Sequence, residues 1–292
     1  MTDAATARRH LAFPALFVIL WSTGFIAAKF GLPYAPPLSF LLYRFALVAG
    51  LMAIVALGTQ APWPKTAAEV GHVALAATLV HGAYLGGVFI AISRGMPAGT
   101  TAMLVGLQPI LTVAIAHAWL GEHVAPRQWA GLALGLGGVW LVVQRRIGPT
   151  EDLFGLATIA VALLGISVGT LYQKRYCSRV DLRSGAVIQF GTCALLYLPC
   201  ALLLEKRPVV WTGEFILALG WSVVVLSVGA ISLLYWLLRH GAAANVAGLF
   251  FLVPAVTAVM AWAMFGEKLD ALAIVGMALI GFGVALSRRT VR

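Results

Sequence analysis

Charged residues are scarce in this sequence, and their scarcity excludes most classes of soluble protein. Only 10% of the 292 residues are charged, and Asp and Glu together number 10. A soluble domain carries roughly a quarter charged residues, because its surface must face water. With 61% hydrophobic residues and a mean hydropathy of +0.96, most of this surface has to face lipid. The composition therefore predicts an integral membrane protein that contacts the bilayer.

Cysteine is scarce as well, and no metal-ligand pattern is visible. The chain has three cysteines, Cys177, Cys193 and Cys200. Their spacing resembles neither a zinc site nor a disulfide framework. The sequence therefore predicts no metal and no cofactor.

The net charge of +10 does not indicate a nucleic-acid partner. The Lys and Arg side chains stand at the ends of apolar runs instead of forming a stripe or patch. Basic residues in such places anchor helices and set their orientation. Arg8 and Arg9 precede a first apolar run of about 20 residues, Leu11 to Gly31, which we expect to be a retained helix and not a cleaved signal peptide.

Ten apolar runs are long enough to cross a bilayer as helices. Gly, Pro and charge clusters separate them. They fall near residues 11–31, 37–57, 69–92, 97–120, 126–143, 153–174, 184–204, 212–238, 242–265 and 271–287. The connections are short, so successive helices should be antiparallel, and no segment is long enough for a soluble domain.

The chain repeats itself at an offset of 145 positions. Arg, Lys, Pro and Glu residues match in this register without a gap, and such matches are rare by chance in apolar sequence. The matched pairs include Lys29 with Lys174, Arg94 with Arg239, Pro109 with Pro254 and Gly121-Glu122 with Gly266-Glu267. We predict two units, 1–145 and 146–292, of five helices each.

Five is an odd number, so the second unit should enter the membrane from the opposite side. The predicted fold is therefore all-α, with ten transmembrane helices arranged as two inverted five-helix repeats around a central cavity. The basic cluster at 174–183 and the basic C-terminus favour an orientation with both termini in the cytoplasm of a bacterial inner membrane. Inverted repeats are typical of secondary transporters, in which two similar halves rock about a midplane site.

Several motifs resemble a known family. Gly-Glu follows the fourth helix of each unit, the first helix contains Trp21-Ser22-Thr23-Gly24-Phe25, and the second contains Tyr43-Arg44-Phe45. Over its whole length the chain resembles the EamA-type branch of the drug/metabolite transporter superfamily, in which bacterial aromatic amino-acid exporters offer a comparison. The resemblance implies export of small metabolites, prominently amino acids. It also implies a cavity lined by the third, fourth, eighth and ninth helices with the first and sixth.

Acidic residues are expected only near helix ends and in loops, so no carboxylate is predicted at the midplane. This placement argues against a deep acidic proton relay and against capture of organic cations. It favours neutral, zwitterionic or apolar cargo.

Polar and aromatic residues within the spans are the candidate substrate contacts. His81 and Tyr84 share a face of the third helix, and Thr101 and Gln108 lie along a stripe of the fourth. The full set is His81, Tyr84, Thr101, Gln108, Trp21, Ser22, Ser167, Tyr172, Gln173, Trp236 and Asn245. Hydrogen bonds between helices are the alternative role for the polar members, and interfacial anchoring for Trp236.

Other conspicuous residues are expected to be structural. Gly24 and Gly169 should allow close packing, and Pro109 and Pro254 disturb their helices at matched positions. Glu122 and Glu267 should satisfy free N–H groups at the starts of the fifth and tenth helices.

Arg44 lies about two turns into the second span. We expect its long side chain to snorkel outward, because the family places the second helix away from the cavity. Pairing with a substrate carboxylate is the alternative.

The sequence thus predicts an exporter of amino acids, aromatic or neutral ones favoured, that works by alternating access and is not an enzyme. A monomer is favoured. Drugs or nucleotide-type metabolites are alternative cargoes, and the latter would require a basic cavity, for which only Lys29 and Arg44 are candidates. A membrane-embedded enzyme or a scaffold is the alternative of another class, but no nucleophile–base pair recurs at suggestive spacing.

Overall fold

The computed structural model describes residues 2–120, 125–143, 153–231, 233, 236–237, 249–250, 252–267 and 271–287. Every regular element in this part of the chain is a helix. We number the helices α1 Thr2–Gly31, α2 Pro37–Gly58, α3 Ala67–Ser93, α4 in two pieces (Ala98–Val105 and Gln108–Leu120), α5 Pro126–Val143, α6 Leu153–Tyr176, α7 Leu182–Leu204, α8 Gly213–Ala230, α9 Leu252–Phe265 and α10 Ala271–Ser287.

Seven of the described helices (α1 to α4 and α6 to α8) are long and apolar enough to cross a membrane, and α9 and α10 contain shorter apolar stretches. The chain is therefore a multi-pass membrane protein. The helix bounds agree with the apolar runs to within a few residues, with three exceptions. α1 begins nine residues before Leu11. The described α8 ends at Ala230 and the described α9 begins at Leu252, eight residues before and ten residues after the predicted bounds. Residues 242–248, at the start of the predicted ninth span, lie outside the described ranges.

Helix starts follow ordinary capping chemistry. Thr66 and Glu69 form a reciprocal capping box at the start of α3. Asp181 caps α7 through a 2.9 Å hydrogen bond from the Arg183 backbone N–H. The Arg183 side chain also donates to this carboxylate and holds the pKa of Asp181 below its ordinary value, so the cap stays charged.

Two helices depart from α geometry at matched positions of the two units. α3 is a π-helix over Thr78–Ala83, and α8 is a π-helix over Trp221–Ala230. Adding the repeat offset to the first segment gives 223–228, which falls inside the second. π segments are rare, and they occur frequently at functional sites.

α2 and α7, which occupy corresponding places in the two units, pack along each other in opposite directions. The Glu205 carboxylate at the end of α7 accepts a 2.7 Å hydrogen bond from the Leu38 N–H at the start of α2. At the other end, the Ser184 hydroxyl donates to the Pro62 carbonyl over 2.6 Å. Between them Phe45 packs on Phe190, the residue that matches it in the repeat, with ring centroids 6.1 Å apart.

α5 and α10 are likewise antiparallel and pack through glycines. A Cβ atom on Gly138 would lie 2.7 Å from the Gly276 carbonyl oxygen, and one on Gly283 would meet the backbone of Gly131. Since Gly131 matches Gly276 and Gly138 matches Gly283, the two contacts are repeats of each other. Small residues let helix backbones approach closely in a membrane, where packing replaces the hydrophobic effect.

We therefore expect Gly138→Leu to destabilise the protein by about 2 kcal/mol or more, because the larger side chain has to push the two backbones apart. Thermal unfolding of the purified protein in detergent measures this effect. Gly137→Leu on the same helix is the matched control, since a Cβ there meets nothing within 4 Å. Equal melting temperatures for the two variants would show that the glycine contact is unimportant.

Candidate functional site

Residues from both halves of the sequence line a cavity of about 420 Å³. Its volume is in the range of small-molecule binding pockets, about 300–1,000 Å³. Side chains from eight helices, α1 to α4 and α6 to α9, form its wall. The polar and aromatic members of that wall are Trp21, Phe25, Arg44, His81, Tyr84, Phe89, Gln108, Thr170, Phe190, Ser227 and Phe250.

The wall formed by α1 and by Phe250, just before α9, is aromatic. The rings of Trp21 and Phe250 meet edge to face, with centroids 5.1 Å apart and planes at 83°. Phe17 packs behind both rings. Such a wall offers flat apolar surface together with the indole N–H as a donor, which suits an aromatic or aliphatic group of a ligand.

The wall formed by α3 carries His81 and Tyr84. His81 Nε2 lies 3.0 Å from Gln189 Oε1 on α7, and its ring stacks on Phe190 at 4.7 Å. His81 therefore lines the cavity and also bonds to a neighbouring helix, and its contact with a substrate stays a prediction. The π segment of α3 contains His81 and ends at Ala83, directly before Tyr84.

Arg44 also lines the cavity, which differs from the outward snorkelling expected of it. Its side chain is 8% exposed and reaches across to α8, where Nη2 lies 3.4 Å from Ser227 Oγ. Ser227 in turn donates to the Ser222 carbonyl five residues earlier, within the π segment of α8. α8 packs against α2 and brings Ser227 within reach of the guanidinium, which accounts for the inward direction of the side chain.

Gln108 and Pro109 line the cavity at the break between the two pieces of α4. Gln108 Nε2 donates to Thr112 Oγ1 over 3.3 Å, so its carbonyl oxygen is available to another donor. Pro254 at the repeat-matched position of α9 lines the cavity as well. Both prolines thus stand beside the space that a ligand would fill.

Several predicted contacts lie away from the cavity and are satisfied or packed elsewhere. Ser22 donates to the Val18 and Val253 carbonyls, and Thr101 donates to Pro97. Ser167 is fully buried but is not part of the wall. Trp236 packs edge to face on Phe13, with ring centroids 4.5 Å apart.

Tyr172 and Gln173 also stand outside the cavity wall. Tyr172 follows the wall residue Thr170 by two positions, about 200° round the helix. Its hydroxyl accordingly bonds to His72 Nδ1 at 2.6 Å, near the helix end. The candidates Asn245 and Glu122 lie outside the described residues.

Six polar or aromatic members of the wall were not predicted: Phe25, Phe89, Thr170, Phe190, Ser227 and Phe250. Phe25 belongs to the Trp-Ser-Thr-Gly-Phe motif, and Thr170 stands 145 positions after Phe25, at the repeat offset, so both carried a signal. Ser227 depends on the π geometry of α8, which residue spacing does not reveal.

Glu267 caps α4, not α10 as expected. Gly266 has a φ of +66° and ends α9 with a left-handed residue, a common helix stop. The chain then brings the Glu267 carboxylate to the start of α4, where it accepts hydrogen bonds from Ala98 N at 2.8 Å and Gly99 N at 3.2 Å. The N-terminus of a helix attracts negative charge, which stabilises this contact.

Lys29, in the last turn of α1, donates to the same carboxylate. The ends of α1, α4 and α9 are therefore held together at one end of the cavity by Lys29, Glu267 and the free N–H groups of α4. We call this group the α1–α4–α9 cap. It explains why a glycine is followed by an acidic residue at this point.

Comparison with known proteins agrees with this architecture. The sequence profile described as the EamA-like transporter family matches twice, at residues 11–144 and at residues 153–289. The chain belongs to the EamA-like transporter family. It is therefore a transporter, and the EamA resemblance inferred from the motifs is confirmed.

Relatives of this EamA-like chain span nearly its full length. It is 27% identical to the "Uncharacterized transporter YvbV" of Bacillus subtilis, over 93% of this chain and 89% of that one. It is also 27% identical to a "Probable amino-acid metabolite efflux pump" of Salmonella typhimurium, over 95% and 96%. A solved crystal structure superposes with a TM-score of 0.64 at 19% identity, covering 94% and 95% of the two chains, and supports the fold alone.

Proposed function

We propose that this chain is an inner-membrane secondary transporter that exports amino acids, aromatic or neutral ones favoured, or related small metabolites. The observation that carries this proposal is the cavity, because both halves of the chain line it and its wall combines aromatic rings with a few polar groups. Among the described residues that line it, none is acidic. The Salmonella relative is named as a probable efflux pump for amino-acid metabolites, which supports amino acids as the class of cargo.

We propose further that the ten helices form two inverted five-helix repeats. The antiparallel packing of α2 on α7 and of α5 on α10 supports inversion, because each pair joins repeat-matched helices. Two similar halves give two states of similar energy, which alternating access requires.

The α1–α4–α9 cap closes one end of the cavity in this account. At the repeat offset, Lys174 matches Lys29 and Glu122 matches Glu267. These two residues would form the corresponding group at the other end of the cavity, and Lys174 is exposed. Transport would then alternate between two states, each with one of these groups formed. With both termini cytoplasmic, the α1–α4–α9 cap faces outward.

Reconstituted protein tests the cargo class. Proteoliposomes loaded in turn with labelled tryptophan, phenylalanine, threonine or a cationic dye should release one or more of the amino acids faster than protein-free liposomes do. The dye should be retained, because the described wall of the cavity offers no carboxylate to an organic cation. Release of the dye alone would contradict the proposal, and so would release of nothing.

A further inference from the structure

Arg44 is the most unusual group in the cavity. Among the described residues its side chain makes one hydrogen bond, the 3.4 Å contact to Ser227, and its Nε atom is buried with no partner. A guanidinium stays protonated in proteins and carries five donors. Most of those donors are therefore unused.

No carboxylate of the described residues neutralises Arg44. The two ion pairs in that part of the chain are Lys29–Glu267 and Arg183–Asp181. Glu205, the acidic residue that approaches α2, bonds to the backbone N–H groups of Leu38 and Ser39 and to the Ser39 hydroxyl. A buried charge without a counter-ion is costly, so a protein retains one where a ligand supplies the opposite charge.

The groups around Arg44 suit an anion. Tyr84 and His81 line the same cavity as Arg44. The Tyr84 hydroxyl can donate to an anionic oxygen. A planar guanidinium matches a carboxylate, to which it donates two parallel hydrogen bonds.

We propose that Arg44 binds the carboxylate of the cargo, so that this transporter selects small monocarboxylates with an apolar side chain. The aromatic wall of Trp21 and Phe250 takes the side chain. Because the described cavity wall has no acidic residue, the amino group is not recognised by charge. Amino acids, 2-keto acids and deaminated acids are therefore all ligands, whereas amides and amines are not. This inference rests on the proposed transport function and concerns the same cavity.

Matched ligands test the carboxylate requirement on the purified full-length protein. Ligand-induced thermal stabilisation is measured with phenylalanine, phenylalanine amide, 3-phenylpropionate and phenethylamine, and with the corresponding leucine and tryptophan sets. The two carboxylates of a set should bind about 10- to 100-fold more tightly than the amide and the amine, the usual effect of one charged hydrogen-bonded contact. The chloride concentration is low in one series and high in another, because chloride bound at Arg44 would weaken carboxylate binding more in the second.

Substitutions at Arg44 separate ligand binding from folding. Arg44→Met should remove the preference for carboxylates and raise the melting temperature of the unliganded protein, because it removes an uncompensated buried charge. Arg44→Lys should bind carboxylates more weakly than the natural chain, since an ammonium lacks the paired donors. Arg94→Met is the control. Arg94 lies at the end of α3 over the Phe154 ring and outside the cavity wall, so this variant loses one positive charge and should keep the preference.

The binding measurements test the role of Arg44 separately from the transport assay. Equal binding of acids and amides, or a carboxylate preference that survives in Arg44→Met, would overturn it even if the liposomes export amino acids. Failure of every acid to bind would overturn it as well. Carboxylate binding without any flux in proteoliposomes would support the Arg44 site and contradict the proposed function.

Discussion

Gly24→Trp is expected to reduce transport to the level of protein-free liposomes while leaving the protein folded. Gly24 lies in the α1 wall of the cavity, and the nearest atom to a Cβ placed there is Leu226 Cδ1 at 3.7 Å, an ordinary contact distance. An indole at this position can therefore extend into the cavity of about 420 Å³ without displacing backbone. It would occupy the space that the cargo needs, beside Trp21 and Phe250.

Efflux from proteoliposomes, with the melting temperature measured in parallel, checks this expectation. Gly50→Trp on α2 is the matched control, because Gly50 is exposed and a Cβ there meets nothing within 4 Å. It should transport like the natural chain. Full transport by Gly24→Trp would mean that the cargo does not pass through this cavity.

Glu267→Gln should open the end of the cavity that the α1–α4–α9 cap closes. The substitution leaves Lys29 without its counter-ion and removes negative charge from the start of α4. Hydrogen bonds to charged groups contribute about 1.5–3 kcal/mol each, so we expect the closed arrangement to lose about 2 kcal/mol. That loss shifts the balance between closed and open forms about 30-fold.

The opening can be measured with the substitution Phe25→Cys. Phe25 lies in the cavity wall, one turn before Lys29 on α1. In a chain without its three native cysteines, a membrane-impermeant maleimide applied at the Lys29 end should label this position much faster in Glu267→Gln. Glu205→Gln is the control, since Glu205 also accepts hydrogen bonds from the N–H groups at the start of a helix, α2, but stands at the end of α7 and outside the cavity wall. Unchanged labelling in Glu267→Gln, or equal acceleration in Glu205→Gln, would show that the α1–α4–α9 cap does not control access.

The repeat predicts the opposite effect for the matching acidic residue of the first unit. Glu122 matches Glu267, so Glu122→Gln should slow labelling at Phe25, because it weakens the closed form of the opposite end. Acceleration in both variants would instead indicate general loosening of the bundle.

The class of protein and its family could be predicted because they depend on composition and on motifs that can be read along the chain. The scarcity of charge identified the membrane, and Gly-Glu in both units identified the family. His81, Tyr84, Gln108 and Trp21 could be proposed as wall residues for a local reason, since each is a polar or aromatic group within an apolar span.

Other features depend on neighbours that are distant in sequence. Glu267 was expected to cap the helix that follows it. It caps α4 because the left-handed Gly266 turns the chain towards a helix 169 residues earlier at Ala98. Arg44 was expected to point outward, but the packing of α8 against α2 accounts for its inward direction. The π segment of α8, which contains the wall residue Ser227, leaves no pattern that residue spacing can detect.

Counterflow tests the central claim, that one cavity opens alternately to the two sides of the membrane. Proteoliposomes preloaded with an excess of the unlabelled amino acid are diluted into a trace of the same labelled compound. Alternating access predicts that the labelled amino acid accumulates transiently above its equilibrium level, because each inward step is coupled to an outward one. Simple equilibration without such an overshoot, in liposomes that do transport the compound, would contradict the account and indicate a continuous pore.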